Sequence, residues 1–352
     1  MNTIAVDFHK RTSTFCVLNH DGIKIKSCKI ENSRDNIRAI VSQIPEPKQV
    51  AMEATRSWSL FYDNIFDIVE HFYLGHPKKM KAICESQIKN DRMDAQVLAQ
   101  LTHSGFLPTA HVSSLETRQL RSLLRFRHFL VNQRRSIRNQ VQTLIDRHIW
   151  ATDRPKSFKN LFCARGLRWL SSLSLPAKEQ FILNETLTSF HNISEQIVGL
   201  EQFIIEQTSD LPGLPFLKTV PGFKTSKINS LIVLTETSDI HRFHKARGYA
   251  HYAGLIPREF SSGDKHRTGR LIKDANLHLR TAFIESTLAA IRSDPGLKAY
   301  YKQVKARRGS GSAIVATARK LSYAVYHVLK EQTVYRPFPS ATDCHPFSGS
   351  DC

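Results

Sequence analysis

The sequence predicts a mixed α/β domain at its N-terminal end, then a helical arm, then a second compact region made mainly of helices. Three observations predict this. The opening block starts with short β-prone runs joined by a hairpin signal and then alternates strand and helix patterns. From Thr117 to Ile145 the composition changes to seven arginines with no acid, Gly or Pro, which reads as a long unbroken helical segment. Leu211-Pro212-Gly213 and Pro215 then stop that pattern before a region with apolar positions of its own. At 352 residues the chain has room for two domains and a connector.

Each element has a local reason. Ile4 to Asp7, Ser13 to Leu18 and Ile23 to Ile30 are β-prone, and Asp21-Gly22 turns the last two into a hairpin. Ser33 caps a helix to Gln43, Pro45 and Pro47 punctuate it, and Gln49 to Glu53 is an apolar strand closed by an acid. A helix from Trp58 to Glu70, a strand at Phe72 to Leu74 and a helix from Asp91 to Leu101 complete a first domain over residues 1–110. In the arm, residues 111–210, Leu123, Leu130, Ile137 and Leu144 recur every seven residues, and Leu183, Phe190, Ile197 and Ile204 form a second such row. Two readings are open: an antiparallel coiled-coil-like arm with a basic outer face, or two ordinary amphipathic helices packed on a domain.

The second domain spans residues 211–335. Thr219-Val220-Pro221-Gly222 before an apolar helix to Leu234 resembles a turn that offers amide N–H groups to phosphate. A turn at Gly254 to Pro257, a basic loop from Ser261 to Arg270, a helix to Ile291 and another from Ser312 to Leu329 follow. Residues 336–352 read as a disordered tail, in which Cys344, His345 and Cys352 lack an evident fourth ligand for a metal.

Composition narrows the function. Lys and Arg number 50 against 31 Asp and Glu, a formal charge of +19, and such an excess calls for a polyanionic partner, most commonly nucleic acid. No apolar run approaches the ~18 residues of a membrane span, and the N-terminus reaches Asp7 before any signal sequence could develop, so a cytoplasmic protein is expected. Six scattered cysteines without C-x-x-C spacing fit reduced thiols.

Two constellations carry chemistry. Asp7 and Glu53 each close an apolar strand, the position at the mouth of an α/β sheet where ligands and metals bind. Asp91 and Asp94, three apart on a helix, share one face. Converging, the four acids can hold two Mg²⁺ ions ~4 Å apart for phosphoryl transfer; separately, Asp91 and Asp94 are also ordinary helix N-terminal carboxylates. Ser261-Ser262-Gly263-Asp264 sits among Lys265, His266, Arg267, Arg270 and Lys273, a setting for a serine nucleophile or for simple phosphate contact. Arg134, Arg135 and Arg138 on the arm are further candidates for phosphate binding.

Val6-Asp7-Phe8-His9-Lys10, Met52-Glu53-Ala54-Thr55, His76-Pro77-Lys78 and Lys89-Asn90-Asp91-Arg92-Met93-Asp94-Ala95 resemble successive motifs of the DEDD transposases of the insertion sequence 110 family, to which the Piv DNA invertases belong. Val220-Pro221-Gly222, Arg242-Phe243, Tyr252-Ala253-Gly254-Leu255-Ile256-Pro257, Ser262-Gly263, Gly269-Arg270 and Leu279-Arg280 resemble that family's second domain in order and spacing. The resemblance implies an RNase H-like, RuvC-type first domain with Asp7, Glu53, Asp91 and Asp94 as metal ligands, a helical linker, and a second domain in which Ser262 attacks DNA. It also implies a structured guide RNA encoded by the element and a homo-oligomer, dimer or tetramer, in a bacterial or archaeal nucleoid. Arg56 stands where the family commonly has Gly, Lys224 replaces the second Gly of a Pro-Gly-x-Gly turn, and Ile272 and Ala275 occupy positions usually Ser and Gly. Two rivals remain: a hydrolytic RuvC-like nuclease acting on branched DNA, and an inactive copy that only binds nucleic acid.

Overall fold

In the computed structural model, residues 1–83, 91–155, 160–208, 210–262 and 265–338 are described, without the side chains of 82, 259–262 and 265–268. Cys84, Lys89, Asn90, Gly263, Asp264 and the tail cluster of Cys344, His345 and Cys352 lie outside these described residues. The chain divides into two compact units, Met1–Val112 and Ser113–Cys352.

The first unit is a mixed α/β sheet. Its elements run β1 (Asn2–Phe8), β2 (Thr12–Leu18), β3 (Lys24–Glu31), α1 (Arg34–Ser42), β4 (Lys48–Glu53), α2 (Trp58–Ile65), β5 (His71–Gly75), α3 (Pro77–Ile83), α4 (Asp91–His103) and β6 (Thr109–Ala110). The strand order is β3-β2-β1-β4-β5-β6, with β1 parallel to β4, β4 parallel to β5, and β1, β2 and β3 an antiparallel meander. Period-2 alternation splits the strands between two layers. Ile4, Val6, Phe15, Val17, Val50 and Met52 pack with α1 and α2 on one face. Ala5, Cys16, Leu18 and Ala51 pack with Ala95, Leu98 and Ala99 of α4 on the other. Small alanines on that second face let α4 lie close to the sheet. Ser33 caps α1 as its side chain accepts from Asn36 N–H, 3.0 Å. β3 forms one edge and carries Lys24, Lys26 and Lys29, each bonded back to Gln96, Gln43 and Asp91 respectively.

The expected helix from Trp58 to Glu70 ends at Ile65. Arg38 of α1 donates to the Asn64 carbonyl (2.7 Å) and to both Asp67 oxygens (2.8 and 2.9 Å), which draws the chain out of the helix there.

The second unit is mainly helical: α5 (Leu115–His148), α6 (Ala164–Ser171), α7 (Ala177–Glu206), α8 (Leu214–Leu217), α9 (Lys227–Thr237), α10 (Ala246–Tyr252), β7 (Pro257–Ser262), β8 (Lys265–Leu271), α11 (Leu277–Ser293) and α12 (Pro295–Glu331). α5 and α7 lie antiparallel: Leu120 and Leu124 share a core with Ile204, whereas Val141, Leu144 and Ile145 pack with Leu183 and Leu187. The α7 heptad row, Leu183, Phe190, Ile197 and Ile204, is buried throughout. In the α5 row only Leu130 and Leu144 are fully buried, because the early turns of that helix present Leu120 and Leu124 instead to the core of α9, α11 and α12.

Two expectations in this unit are corrected. The basic loop from Ser261 to Arg270 belongs to a two-stranded antiparallel hairpin that pairs Pro257 with Leu271 and Ser262 with Lys265. The turn at Thr219 to Gly222 is part of the core, not a phosphate-facing surface: Val220 and Phe223 have no exposed area, and a Cβ on Gly222 would collide with the Ser286 carbonyl. The expected last helix is present past Gly309, and a further helical stretch from Pro295, capped by Asp294, whose carboxylate accepts from Leu297 N–H at 2.7 Å, joins it into the run α12. It kinks at Gly309, where φ is +78°.

Candidate functional site

The acids assemble from the sheet register upward. β1 and β4 run parallel with Val6 beside Met52, so Asp7 and Glu53, the next residues, stand at the same carboxyl edge. Alternation puts both on the face of Ala5 and Ala51, against which α4 packs. The first turn of α4 carries Asp91 and Asp94 to that face. One oxygen of Asp7 lies 3.0 Å from His9 Nε2, and the same nitrogen lies 3.6 Å from Asp91 Oδ1. Ligand atoms of Asp7, His9 and Asp91 all fall within 4.8 Å of one another. The other Asp91 oxygen accepts from Lys29 Nζ at 3.0 Å.

The electrostatics agree with this crowding. Burial pushes the Asp7 carboxyl above its ordinary value, His9 partly offsets this, and the charges of Asp91 and Asp94 raise it again. Asp91, partly exposed, is held below the usual carboxylate range by its hydrogen bond to Lys29, with the charge of Lys29 and the nearby His9 adding to the effect.

The donor set fits a divalent cation. Carboxylate oxygens from two strands and a helix are hard donors of the kind such ions take. Thr14, opposite Asp7 in the β1–β2 register and 1% exposed, has a buried hydroxyl without a hydrogen-bond partner among the described residues. Thr55, two residues beyond Glu53, has another. Buried hydroxyls of this sort are costly unless satisfied, and the water shell of a bound ion would satisfy them at this edge. His9, Lys29 and Thr14 are not marked as site residues by the sequence motifs. The signals are there all the same: His9 follows Asp7 by a strand period of two, and the register runs Asp7, Thr14, Lys29 across three strands.

In the second unit, Ser262 is the last residue of β7, opposite Lys265. Arg267 pairs with Phe260, Arg270 lies exposed on β8, and Lys273 is exposed just past it. The side chains of Ser262, Lys265 and Arg267 are outside those described. At the root of the hairpin a concavity of about 350 Å³ is lined by Arg247, His251, Arg258 and Ile272, of which Arg247 and Arg258 are cationic.

On α5 the arginines divide. Arg118 donates to the Ser113 carbonyl, Arg121 to the Thr235 carbonyl, and Arg125 grips the carboxylate of Glu236 with two bonds of 2.8 and 2.9 Å. Arg127 binds Glu201 of α7 at 2.6 Å. Arg134 is half-buried beside Arg127 and Arg138, Arg135 is exposed, and Arg138 is exposed over the Phe162 ring. The basic helix is therefore a structural clamp in its first half, and the arginines from Arg134 onward make only lighter contacts, Arg135 with Asn132 and Arg138 with Asn160.

Comparison with known proteins agrees with the motifs. A family model described as "Transposase", of the DEDD IS110 type, matches residues 4–149. A second, described as "Transposase IS116/IS110/IS902 family", matches residues 214–302. The chain is 25% identical over 340 residues to "Transposase for insertion sequence element IS1111A" of Coxiella burnetii, covering 95% of this chain and 91% of that one. It is 24% identical to "Probable family 20 transposase" of Pseudomonas aeruginosa, covering 88% and 92%. It is also 26% identical over 165 residues to "Pilin gene-inverting protein" of Moraxella lacunata, covering 45% and 50%.

Proposed function

Because this chain belongs to the DEDD transposases of the insertion sequence 110 family, DNA recombinase enzymes, we propose that it cuts and rejoins DNA for a mobile insertion sequence by serine transesterification. The observation that carries this is the meeting of Asp7, Asp91 and His9 at the carboxyl edge of the sheet, with Asp94 close enough to act on Asp7 and Glu53 on the adjacent strand tip. The strand order, an antiparallel meander followed by two parallel strands, supports an RNase H-like reading of the first unit.

Asp7, Glu53, Asp91 and Asp94 hold Mg²⁺ in this reading, two ions. When bound, Mg²⁺ polarises the scissile phosphate and stabilises the leaving 3′ oxygen. Ser262 Oγ forms a bond to phosphorus, the P–O3′ bond breaks, the 3′ oxygen takes up a proton, and the 5′ end stays on the protein as a phosphoserine. Attack by another 3′ hydroxyl reverses the step and releases Ser262, so rejoining needs no nucleotide cofactor. Lys265, Arg267, Arg270 and Lys273 clamp the flanking phosphates, and Arg134, Arg135 and Arg138 add backbone contacts. A structured guide RNA from the element, an oligomer joined through a coiled-coil-like arm, and a cytoplasmic, nucleoid setting complete the proposal. Among the described residues, no helix is long and apolar enough to cross a membrane. Arg56, Lys224, Ile272 and Ala275 all avoid positive φ, so none of these departures forces a strained backbone.

The test is denaturing electrophoresis of the protein with end-labelled DNA, Mg²⁺ and candidate guide RNA. Wild type is expected to give a covalent adduct, and Ser262→Ala and Asp7→Ala none, while Ser262→Ala keeps DNA affinity. Free nicked product without an adduct in wild type would assign the chain to hydrolysis, and an adduct in Ser262→Ala would move the nucleophile elsewhere.

A further inference from the structure

We propose that His9 is a nitrogen ligand of the metal centre and biases it toward Mn²⁺ over Mg²⁺; this rests on the reading that the acid cluster holds a divalent ion. His9 is one residue past the end of β1, and the strand period puts it on the side of Asp7. Its Nε2 spans the gap between the strand acid and the helix acid, 3.0 Å from Asp7 and 3.6 Å from Asp91. Adjacent ligands of an octahedral ion at ~2.1 Å are separated by ~3 Å and opposite ones by ~4.2 Å, and the His9 separations from Asp7 and Asp91, 3.0 and 3.6 Å, fall within that range. Lys29 holds the Asp91 Oδ2 atom, which leaves Oδ1 facing His9. The imidazole thus sits between two carboxylates, of which Asp91 also has Lys29 as a partner and Asp7 is left facing His9.

The chemical consequence follows from donor type. Four carboxylates make an all-oxygen set that suits Mg²⁺ and Mn²⁺ alike. An imidazole adds a borderline nitrogen, which Mg²⁺ takes reluctantly and first-row divalent ions take readily. Replacing His9 should therefore weaken Mn²⁺ much more than Mg²⁺. Asp7, Asp91 and Lys29 stay in place, because His9 is half exposed and packs in no core.

The test uses the full chain, purified and stripped of metal, with circular dichroism as the folding control. Mn²⁺ and Mg²⁺ are titrated separately by calorimetry into wild type, His9→Ala and Asp7→Asn. Mn²⁺ affinity is expected to fall ~10-fold or more in His9→Ala, Mg²⁺ affinity to change little, and both to fall in Asp7→Asn. Electron spin-echo modulation of bound Mn²⁺ should report a directly coordinated nitrogen in wild type that is absent in His9→Ala. An unchanged Mn²⁺-to-Mg²⁺ ratio, or no nitrogen coupling in wild type, overturns the role of His9. If Asp7→Asn binds Mn²⁺ as well as wild type does, the acid-cluster reading itself fails, and the ligand role of His9 with it.

Discussion

Glu236 is 2% exposed at the end of α9, and its carboxylate is satisfied entirely by neighbours. Arg125 donates twice, Asn276 once at 2.8 Å, and Arg121 lies 3.4 Å away. Burial alone would raise its pKa, but the Arg125 hydrogen bond and charge, Asn276 and Arg121 outweigh that and hold it below the usual glutamate range. Removing the charge leaves Arg121, only 20% exposed, without its counterion. Glu236→Gln should therefore destabilise the second unit by about 3 kcal/mol, the low end for a broken buried pair because Arg125 is half in solvent. The sign with pH is fixed: a depressed carboxylate stabilises above its unfolded value, ~4.3, and loses that contribution as pH falls through the folded value. Urea denaturation from pH 6 to pH 3 should show the gap between wild type and Glu236→Gln closing on the acid side. Residues of this kind are the least legible in the sequence. Asp7 and Glu53 announce themselves by closing apolar strands, whereas Glu236 sits inside the helical run Lys227 to Thr237 and its arginine partners are more than a hundred positions away.

At the scale of elements, periodicity is a sound guide wherever one face packs on one partner. The α7 row is buried at every seventh residue because one face meets α5, joined by Leu170 of α6 at Leu183 and by Phe162 at Phe190. The α5 row breaks down where the helix changes partner, from α7 to the core of α9, α11 and α12, and no single period describes two seams. The β7–β8 hairpin is hidden for another reason: Lys265, His266, Arg267, Gly269 and Arg270 lack the β-branched and aromatic residues that mark strands. The division of the α5 arginines yields a prediction. Changing Arg134, Arg135 and Arg138 together to Ala should lower the slope of log affinity against log salt by up to about 3 in a filter-binding titration, near 0.9 for each phosphate no longer neutralised. Changing Arg121 and Arg125 should lower the denaturation midpoint instead, since those two belong to the clamp on Glu236.

For the molecule as a whole, the acid cluster and Ser262 lie on different compact units. Their stabilities should then respond to different perturbations. Saturating Mn²⁺ at ~100 times its dissociation constant adds about 2.7 kcal/mol to whatever folds with the site. In a metal titration followed by scanning calorimetry, the ion should raise the transition of the first unit and leave that of the second, while Glu236→Gln should lower the second and leave the first. A single transition shifted by both would show that the units unfold as one. The boundary between the units, Val112/Ser113, lies near the composition change in the sequence, whereas the proline-glycine break at 211–215 falls inside the second unit.

The lysines of β3 bear on a different hazard. An open sheet ends in a strand whose outer N–H and C=O groups invite another chain to pair with them, and β3 is such an end. Lys24, Lys26 and Lys29 line it, and a second strand docking there would have to strip their water and break their bonds to Gln96, Gln43 and Asp91. Lys29, which holds one oxygen of Asp91, is thus also one of the charges that a docking strand would have to desolvate. Because one residue serves both places, a change at Lys29 made to retune the proposed metal site is expected to remove a charge from the sheet edge as well.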